Sequence, residues 1–356
     1  MRCVIGHNVA RMTARKVVIH RPGGYEQLTL EPLAIPLPKA GEVVVATEAI
    51  GVNYADCVIR MGLYASAKEF VGWPITPGFE FAGTVTAVGE GVSDLAPGAK
   101  VFGVTLFGGY STHVAVARHQ LFPLPSRLEA VQAAGFPTVF LTAYFALFEL
   151  AHPHPGANIL VHSAAGGVGG ALVQLGRLAG CRVVAVVGGS HKVETARAMG
   201  ADVVIDKSRE ELWRAAEQAA PQGYDVVLDA NGVATLRQSY AHLGSPGKLV
   251  IYGFHSMLPR QGGRPSWLKL AWDWLRTPRY NPLTLTNDNN SVLAFNLSYL
   301  FEQRAILSEA MRRLLAWLEE GKLTAPPVKQ FPLDQVAEAH RALESGTTVG
   351  KLVLVP

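Results

Sequence analysis

A glycine-rich turn, His162–Gly170 (HSAAGGVGG), directly follows the apolar run Asn158–Val161 and has the residues that most clearly suggest a chemistry. Small residues there let the backbone approach a pyrophosphate, and the following helix offers free N–H groups and a positive dipole end. Ala164 departs from a strict GxGxxG pattern, and close packing of a helix on a strand would also explain such a turn. We predict dinucleotide binding because the turn opens a series of alternating strands and helices. The predicted contacts are Gly166, Gly167, Val168 and Gly169.

The residues after the next strand indicate which dinucleotide this is. An NAD site usually has an Asp or Glu about 20 residues beyond the turn, where it binds the ribose hydroxyls. Here the strand Arg182–Val187 is followed by GGSHK, without a carboxylate. Ser190 and Lys192 are able to bind a 2′-phosphate instead, and Lys207, after the following strand, is a second candidate. A solvated lysine at a helix start would explain Lys192 equally well, so the missing acid is what leads us to expect NADPH.

The elements that must position this turn are predicted from the spacing of apolar residues. Between residues 158 and 252, apolar β-branched runs alternate with helical segments separated by short turns. This alternation is typical of right-handed βαβ units, which form a doubly wound parallel sheet covered on both faces. The first third of the chain has short strand-like runs separated by Gly and Pro, which predicts a mostly antiparallel β domain. The fold class is therefore α/β, with two domains.

One apolar stretch is long enough to resemble a membrane span. Residues 133–150 contain Glu149 as their one charged side chain, and a span needs about 18–20 apolar residues. However, the stretch also contains Gly135 and Pro137 and has no basic flank on either side. We therefore predict a buried helix within a helical region at 129–151.

Composition and charge exclude other classes of protein. The chain has 356 residues, of which 49% are apolar and 17% charged, so it can bury a large core and is not intrinsically disordered. Its net charge of +4 is mild, and we expect it to be spread along the chain. Such a charge gives no reason to expect nucleic-acid binding.

The three cysteines, Cys3, Cys57 and Cys181, form no pattern of zinc-ligand spacing. We therefore expect neither a disulfide framework nor a structural zinc site, and a reducing, cytoplasmic location. Met12 is an alternative translation start to Met1.

Several segments together identify a family. They are Gly51–Asp56 (GVNYAD), Arg60–Tyr64 (RMGLY), Pro77–Gly83 (PGFEFAG), Phe140–Tyr144 (FLTAY), Ser163–Gly169 (SAAGGVG), Phe295–Leu300 (FNLSYL) and Gly350–Val353 (GKLV). From about residue 14 onward, the sequence resembles the zinc-free medium-chain dehydrogenase/reductases of the quinone oxidoreductase group. Within that group it is most similar to the vesicle amine transport protein homologue branch.

The resemblance implies a domain organisation. A GroES-like, mostly β catalytic domain would comprise residues 1–136 and 299–356, and a Rossmann NADP-binding domain would comprise residues 137–298. Relatives are usually dimers joined through the edges of their Rossmann sheets, so we expect a homodimer. Residues 256–292 form an insertion, long enough to be functional, that leaves the strand edge where ligands of parallel sheets bind. We predict that its Trp267, Trp272 and Trp274 form a lid over the substrate cleft.

The resemblance also implies site residues. Asn53 would lie beside the nicotinamide and orient a carbonyl group, and Tyr64 would donate a proton or hydrogen bond to the substrate. Asp56 is expected to support the loop of Asn53. Further cofactor contacts would be Thr142, Gly253, Phe295, Asn296 and Lys351. Zinc-dependent relatives carry a cysteine and a histidine where this chain has Asn53 and Phe79, and Glu80 alone cannot hold a catalytic zinc, so no metal is expected.

The resulting expectation is an NADPH-dependent, zinc-independent reductase of small apolar quinones or activated, α,β-unsaturated carbonyl compounds. One alternative is a membrane- or lipid-associated binding protein of the same fold with little turnover. The branch resemblance favours it, and so does the segment Trp267–Arg276, where aromatic and basic residues alternate as in interfacial helices. From the sequence, peripheral membrane contact is nevertheless the less favoured hypothesis. A second alternative is an enoyl reductase of a polyketide-type pathway, with a carrier-bound substrate.

Overall fold

A computed structural model describes residues 14–356, so Cys3 and the start at Met1 or Met12 lie outside the described residues. Two large sheets and one two-stranded sheet organise this part of the chain. The strands are β1 (Arg15–Val18), β2 (Thr29–Pro32), β3 (Glu42–Val52), β4 (Glu80–Val88), β5 (Lys100–Val104), β6 (His113–Ala117), β7 (Leu121–Pro123), β8 (Asn158–Val161), β9 (Arg182–Val187), β10 (Val203–Asp206), β11 (Tyr224–Asp229), β12 (Leu243–Ile251), β13 (Asn290–Ala294), β14 (Val328–Pro332) and β15 (Lys351–Val355).

The two large sheets differ in strand direction, as predicted. The six-stranded sheet has the order β10-β9-β8-β11-β12-β13, and its strands are all parallel. The seven-stranded sheet has the order β14-β15-β3-β4-β5-β7, with β6 also paired to β3. Its pairs are antiparallel except for β14 with β15. The predicted α/β class, with a mostly antiparallel β domain and a separate parallel sheet, is confirmed.

Helices connect and cover the sheets. They are α1 (Tyr54–Arg60), α2 (Ala65–Phe70), α3 (Ala130–Ala133), α4 (Pro137–Tyr144), α5 (Gly167–Leu178), α6 (Val193–Ala198), α7 (Leu212–Ala219), α8 (Leu236–Ala241), α9 (Trp267–Arg276), α10 (Pro282–Asp288), α11 (Arg304–Glu319) and α12 (Val336–Glu344). In β8, Ile159 and Val161 join one apolar cluster while Leu160 joins another. Because successive side chains of a strand point to opposite faces, the parallel sheet is buried on both.

The apolar stretch that resembled a membrane span is part of the core. The helical region predicted at 129–151 contains α3, α4 and a π-helical segment, Phe145–Ala151, and not one continuous α-helix. By length and composition the region Ala130–Ala151 could cross a bilayer, but 67% of its most apolar window is buried inside the protein. Phe140 and Tyr144 are at most 2% exposed. Pro137 begins α4, which is the position in a helix where proline fits best.

The insertion and the end of the parallel sheet differ in detail from the prediction. The last strand of the sheet is β13, Asn290–Ala294, whose first residues fall within the range 256–292 assigned to the insertion. Two helices, α9 and α10, precede it. The final strand of the chain, β15, belongs to the other sheet, yet Gly350 beside it forms a bridge with Gly166 in the glycine-rich turn. This contact brings the end of the chain to the predicted dinucleotide site.

Candidate active site

The glycine-rich turn has the geometry of a phosphate site. Gly166 precedes the 12-residue helix α5 and no side chain caps its first N–H groups. A Cβ atom on Gly166 would meet nothing closer than 3.3 Å, whereas one on Gly169 would lie 2.2 Å from the carbonyl oxygen of Ser163. Gly169 is thus required for packing, and Gly166 leaves open space at the helix start. A pyrophosphate fits this turn, because free N–H groups and the positive helix end face that space.

The end of the chain closes this turn from the other domain. The Gly350 N–H donates to the carbonyl oxygen of Ala165 over 2.8 Å. Lys351 then extends past the turn, and a Cβ atom on Gly135 would lie 2.8 Å from its Cγ. A Cβ atom on Gly167 would likewise lie 3.7 Å from the Lys351 Cδ. The lysine side chain therefore occupies a channel between two glycines at the junction of the domains.

Asn53, Glu80 and Lys351 form a buried polar triad at the end of this channel. Their exposed fractions are 8%, 0% and 3%. Lys351 Nζ donates to Asn53 Oδ1 over 2.5 Å and pairs with Glu80 Oε1 over 2.6 Å. Asn53 Nδ2 donates to the same carboxylate oxygen over 2.9 Å, and the N–H of Thr138 donates to the other over 2.8 Å. The predicted residues Asn53 and Lys351 thus meet directly.

The contacts within the triad show whether this site could hold zinc. The position that a zinc ion would take beside Asn53 and Glu80 is filled by the Lys351 ammonium group, which already neutralises the carboxylate. Phe79 packs its ring against Tyr64 and Phe107 and offers no donor atom. A catalytic zinc needs about three protein ligands with oxygen, nitrogen or sulfur donors. The residues present do not fit zinc, and a cation of the chain itself occupies the place.

Tyr64 contacts the other domain. Its hydroxyl donates to Asn296 Oδ1 over 2.9 Å and lies 3.3 Å from Ser298 Oγ. Burial raises the pKa of Tyr64, so the hydroxyl keeps its proton throughout the neutral range. Two residues predicted from separate segments, Tyr64 and Asn296, therefore form one hydrogen-bonded pair. Ser298, which the sequence analysis did not single out, completes it.

Asp56 supports the Asn53 loop, as expected. Its fully buried carboxylate accepts hydrogen bonds from the backbone N–H groups of Asn53 and Gly78 over 2.8 and 2.9 Å. The Tyr110 hydroxyl donates to the same group over 3.0 Å. Burial raises the pKa of Asp56 to about 7. The Asn53 loop is thus held by a carboxyl group that titrates near neutral pH.

The residues predicted to bind a 2′-phosphate lie around the ends of β9 and β10. Lys192 Nζ donates to the carbonyl oxygen of Gly346 over 2.6 Å. Ser190 Oγ donates to Asp206 Oδ2 over 2.5 Å. No acid directly follows β9, as the sequence indicated, but Asp206 at the end of the neighbouring strand brings a carboxylate to Ser190. Hydrogen bonds from Ser190 and Ser208 lower the pKa of Asp206, so it is ionised.

Four positive charges lie around this region: Lys192, Lys207, Arg260 and Arg209, whose Nε donates to Ser190 Oγ over 3.1 Å. Burial is the main cause of the lowered pKa of Lys192, and the positive charges of Lys207 and Arg260 lower this pKa further. Burial and the charge of Arg260 likewise lower the pKa of Lys207. A bound anion would relieve this repulsion, because a nearby negative charge favours the protonated form of a lysine. Arg260 was missed from the sequence because it lies in the insertion, more than 50 positions from Lys207 along the chain.

The remaining predicted contacts lie near the same sheet edge or on the core helix. Thr142 on α4 donates its hydroxyl to the Thr138 carbonyl oxygen over 2.7 Å. A Cβ atom on Gly253 would lie 2.8 Å from the carbonyl oxygen of Ala230. The Phe295 ring packs 4.9 Å from that of Phe145. None of these contacts tests cofactor binding, so the roles of Thr142, Gly253 and Phe295 stay predictions.

A second buried cluster has donor atoms of the kind that bind metals. Cys57, His340 and Glu344 lie within 4.8 Å of one another. Arg60, whose side chain is fully buried, donates to Glu344 Oε1 over 2.7 Å and lies 3.3 Å from His340 Nδ1. The guanidinium group supplies the positive charge that this carboxylate needs, so the cluster is a structural ion pair.

The three tryptophans that were predicted to form a lid do not cover a cleft in the structure. The side chains of Trp267, Trp272 and Trp274 on α9 are 69%, 60% and 65% exposed. Aromatic rings that roof a cleft would pack against its walls and lose most of their exposure. The tryptophans instead face solvent, because α9 contacts the protein through its Leu270 and Asp273 face.

Comparisons with known proteins agree with the two-domain fold. Residues 39–126 match the family model described as an alcohol dehydrogenase GroES-like domain, and residues 199–354 match the one described as a zinc-binding dehydrogenase. The chain is 33% identical over 344 residues to the human synaptic vesicle membrane protein VAT-1 homolog, covering 96% of this chain and 86% of that protein.

Two solved structures are also similar over nearly the whole chain. Escherichia coli quinone oxidoreductase, solved in complex with NADPH, is 28% identical with a TM-score of 0.83, covering 96% of this chain and 100% of the other. The CurK enoyl reductase is 27% identical with a TM-score of 0.83, covering 96% of this chain and 99% of the other.

Proposed function

The chain belongs to the medium-chain dehydrogenase/reductase superfamily as an oxidoreductase of the zinc-free type, and from that premise we propose that it is an NADPH-dependent reductase of quinones or α,β-unsaturated carbonyl compounds. Similarity to a quinone oxidoreductase and to an enoyl reductase supports this reaction class. The observation that carries the proposal is the Lys351 ammonium group between Asn53 and Glu80, at the end of the glycine-rich turn.

The Lys351 position favours reduction of a conjugated carbonyl over oxidation of an alcohol. Alcohol oxidation develops an alkoxide, which relatives stabilise with a Lewis-acidic zinc. In this chain the cation at that place is already paired with Glu80 and shared with Asn53. A quinone or enone requires less stabilisation, because its own conjugated carbonyl spreads the negative charge that develops when hydride is added.

The chain supplies groups for each part of the cofactor. The N–H groups of Gly167, Val168 and Gly169 would hold the pyrophosphate. Gly166, whose own N–H donates to the Ser163 carbonyl oxygen, would leave space for it. Lys192 and Lys207, joined by Arg260, would hold the 2′-phosphate. When bound, the reduced nicotinamide supplies the hydride. Thr142, Gly253, Phe295 and Asn296 would line its pocket.

Tyr64 is the proposed proton donor. Its raised pKa keeps the hydroxyl protonated. The proton that Asn296 Oδ1 accepts in this structure would turn toward the substrate when the substrate binds. In the reaction, hydride adds to the electron-poor carbon of the substrate, and the Tyr64 proton goes to the oxygen or α-carbon that gains the charge. Solvent then returns a proton to Tyr64. Asn53 keeps one N–H of its amide free of Glu80 and would orient the substrate carbonyl.

The substrate would lie between the two domains, where Tyr64 of the β domain meets Asn296 of the parallel-sheet domain. We further propose that two chains form a homodimer through the edge of the parallel sheet, at β13, which ends the strand order. Size measurement in solution tests this separately from activity.

The test of the function is NADPH oxidation by the full chain with a panel of benzoquinones, naphthoquinones, short enones and enoyl thioesters. Turnover with quinones or enones is expected. Tyr64→Phe should lower kcat about 100-fold, as loss of a general acid does, while the Kd for NADPH stays unchanged. Tyr299→Phe is the matched control, because its hydroxyl bonds to exposed Glu69. Turnover with enoyl thioesters alone would favour the carrier-bound alternative, and no turnover with any acceptor would reject the proposal.

A further inference from the structure

Four buried side chains form a network of hydrogen bonds that ends at Asn53, the Asn53 network. At its centre is His340, which lies on α12 and is fully buried. Arg60 Nη1 lies 3.3 Å from His340 Nδ1, and His340 Nε2 lies 3.1 Å from the Tyr110 hydroxyl. That hydroxyl lies 3.0 Å from Asp56 Oδ2, which accepts the Asn53 N–H over 2.8 Å. Helix α12 is thus connected to the loop that carries Asn53.

The donors and acceptors of the Asn53 network fit together in one direction. A guanidinium group only donates hydrogen bonds, so His340 Nδ1 accepts from Arg60. Burial, and then the charge of Arg60, lowers the pKa of His340 well below its usual value. The ring is therefore neutral, and its one proton is on Nε2. Nε2 donates to the Tyr110 oxygen, which leaves the Tyr110 proton to be donated to Asp56.

The Arg60 side chain is held in place from several sides. It is fully buried, and its Nη2 donates to Glu344 Oε1 over 2.7 Å and to the Gly263 carbonyl oxygen over 2.9 Å. Its guanidinium carbon lies 4.4 Å from the centre of the Tyr25 ring, whose hydroxyl donates to Glu344 over 2.6 Å. Gly263 belongs to the insertion at 256–292, so the insertion covers the outer end of the network. Arg60 therefore fixes the direction of every hydrogen bond that follows.

We propose that His340 and Tyr110 are positioning residues for Asn53, which they hold through the carboxylate of Asp56. This inference rests on the proposed function, in which Asn53 orients the substrate carbonyl. The Asn53 N–H and the Tyr110 hydroxyl share one oxygen of the carboxylate, and the Gly78 N–H donates to the other. Without the Tyr110 hydrogen bond, two backbone N–H groups alone would set the direction of the carboxylate. The Asn53 loop would then move relative to the substrate.

The same hydrogen bonds favour the charged form of Asp56. Both of its oxygens accept hydrogen bonds, which favours ionisation, whereas burial opposes it. The other ionisable groups that face Asp56 are Lys351, Cys57, Tyr64 and Tyr110. Burial raises the pKa values of this thiol and of both phenols, so they stay uncharged near neutral pH. Lys351 is paired with Glu80. Within the Asn53 network, Asp56 is therefore the group that titrates near pH 7.

Exchange of the Asn53 amide proton tests the positioning without any reaction. The full chain is labelled with nitrogen-15, and the loss of this amide signal in deuterated water is followed by NMR. Tyr110→Phe and His340→Leu should each speed the exchange about tenfold, the effect of one typical hydrogen bond. His340→Gln should stay close to the native chain, since an amide also offers one acceptor and an N–H donor.

Tyr224→Phe is the matched control for this experiment. Tyr224 is also fully buried, and its hydroxyl donates to the Ala216 carbonyl oxygen over 2.8 Å. It lies on β11 of the parallel sheet, outside the Asn53 network. The variant therefore loses one buried hydrogen bond, as Tyr110→Phe does, but should leave the exchange of Asn53 unchanged.

The pH profile of kcat, measured with an acceptor that is reduced, tests the role of the network in the reaction. We expect kcat to fall as the pH falls through the pKa of Asp56, because the protonated carboxyl group holds Asn53 less firmly. Tyr110→Phe should lower kcat about tenfold at neutral pH, since small misplacements of an orienting group are costly. It should also move the acidic limb of the profile upward by about one pH unit, because it removes a hydrogen bond to the charged form. The Kd for NADPH should stay unchanged, and Tyr224→Phe should leave the limb in place.

A double variant tests whether the residues act as one unit. Tyr110→Phe/His340→Leu should be no slower than Tyr110→Phe, because His340 reaches Asn53 only through Tyr110 in this network. Additive losses would show that His340 acts elsewhere and would remove it from the proposal.

Two further results would overturn the proposal. One is that Asn53 exchanges equally fast in the native chain and in Tyr110→Phe. The other is that Tyr110→Phe lowers kcat no more than Tyr224→Phe does and leaves the acidic limb in place. If no acceptor is reduced, the proposed function fails, and the exchange measurement still shows whether His340 and Tyr110 hold Asn53. If His340→Leu does not fold, Tyr110→Phe and His340→Gln still decide the outcome.

Discussion

The Lys351 ammonium group lies 2.6 Å from the Glu80 carboxylate, and both side chains are almost completely shielded from water. A buried charge is costly unless it is paired, so each residue requires the other. The pair lies at the end of the glycine-rich turn and shares Asn53 as a hydrogen-bond partner. The candidate active site therefore carries its own fixed cation.

Removing this cation should destabilise the protein. Lys351→Met leaves Glu80 buried without its partner, and the loss of one member of a buried pair costs about 3–5 kcal/mol. The free energy of unfolding in urea should fall by that amount. Lys351→Met/Glu80→Gln should recover a large part of the loss, because no uncompensated charge remains. If the double variant is as unstable as the single one, the pair does not act as a unit.

Activity should be indifferent to metal chelators. The ammonium group of Lys351 and the ring of Phe79 occupy places that a catalytic zinc and its ligand would need. Dialysis against EDTA should leave turnover unchanged, and elemental analysis of the purified chain should find no stoichiometric zinc. A bound zinc whose removal abolishes turnover would contradict the placement of Lys351 at this position.

Lys192 should discriminate between the two nicotinamide dinucleotides. A charge-assisted hydrogen bond is worth about 1.5–3 kcal/mol, so Lys192→Ala should raise the Kd for NADPH roughly tenfold or more. The Kd for NADH should stay nearly the same, because NADH has no 2′-phosphate. Fluorescence titration with both dinucleotides measures this, and equal losses would remove Lys192 from the phosphate site. Asp206→Asn should lower the Kd for NADPH, because it removes a negative charge beside Ser190.

Asp56 should make stability depend on pH. Burial raises its pKa from 3.8 to about 7 in the folded chain, so the folded chain binds this proton more tightly than the unfolded chain does. The stabilisation that protonated Asp56 gives the folded chain is complete below the pKa of the unfolded chain. It is lost as the pH rises toward the pKa of the folded chain. The difference in unfolding free energy between the native chain and Asp56→Asn should therefore fall over this range.

A control with the opposite sign is available for this pH series. Hydrogen bonds from Arg118 lower the pKa of Asp94, so the difference between the native chain and Asp94→Asn should rise with pH. Urea unfolding at a series of pH values measures both. A difference for Asp56→Asn that rises with pH, or does not change, would contradict the environment assigned to Asp56.

The sequence predicted the fold well because the relevant information is local. Period-2 apolar strands and the glycine-rich turn follow from neighbouring residues, and the alternation of strands and helices after residue 158 then requires a parallel sheet. Local residues also predicted that the membrane-like stretch is buried in the protein, because Gly135 and Pro137 suit a packed core.

The site was predicted only in pieces, because its contacts join distant parts of the chain. Asn53 and Lys351 were both singled out, but they are 298 positions apart and no local pattern shows that they touch. Asp206 was missed because it reaches Ser190 from the next strand of the sheet and does not follow it along the chain. The carboxyl ends of parallel strands meet at one edge, so that rule would have found it.

The tryptophans of the insertion show a different limit. Their composition indicated a functional helix, but an apolar face can turn toward a cleft or toward solvent. That choice depends on which side is anchored, and the contacts of Lys269 and Asp273 determine it. Such contacts are tertiary and have no counterpart in the periodicity of the helix.

Transfer of deuterium from NADPH that carries deuterium in both C4 positions of the nicotinamide ring tests the central claim most directly. The full chain is incubated with the labelled cofactor and a quinone or an enone, and the reduced product is examined by mass spectrometry and NMR. With an enone, we expect one deuterium at the β-carbon of each product molecule, with much slower transfer from labelled NADH. Absence of deuterium at that carbon, or no reduced product with any acceptor, would contradict the assignment of this chain as an NADPH-dependent reductase.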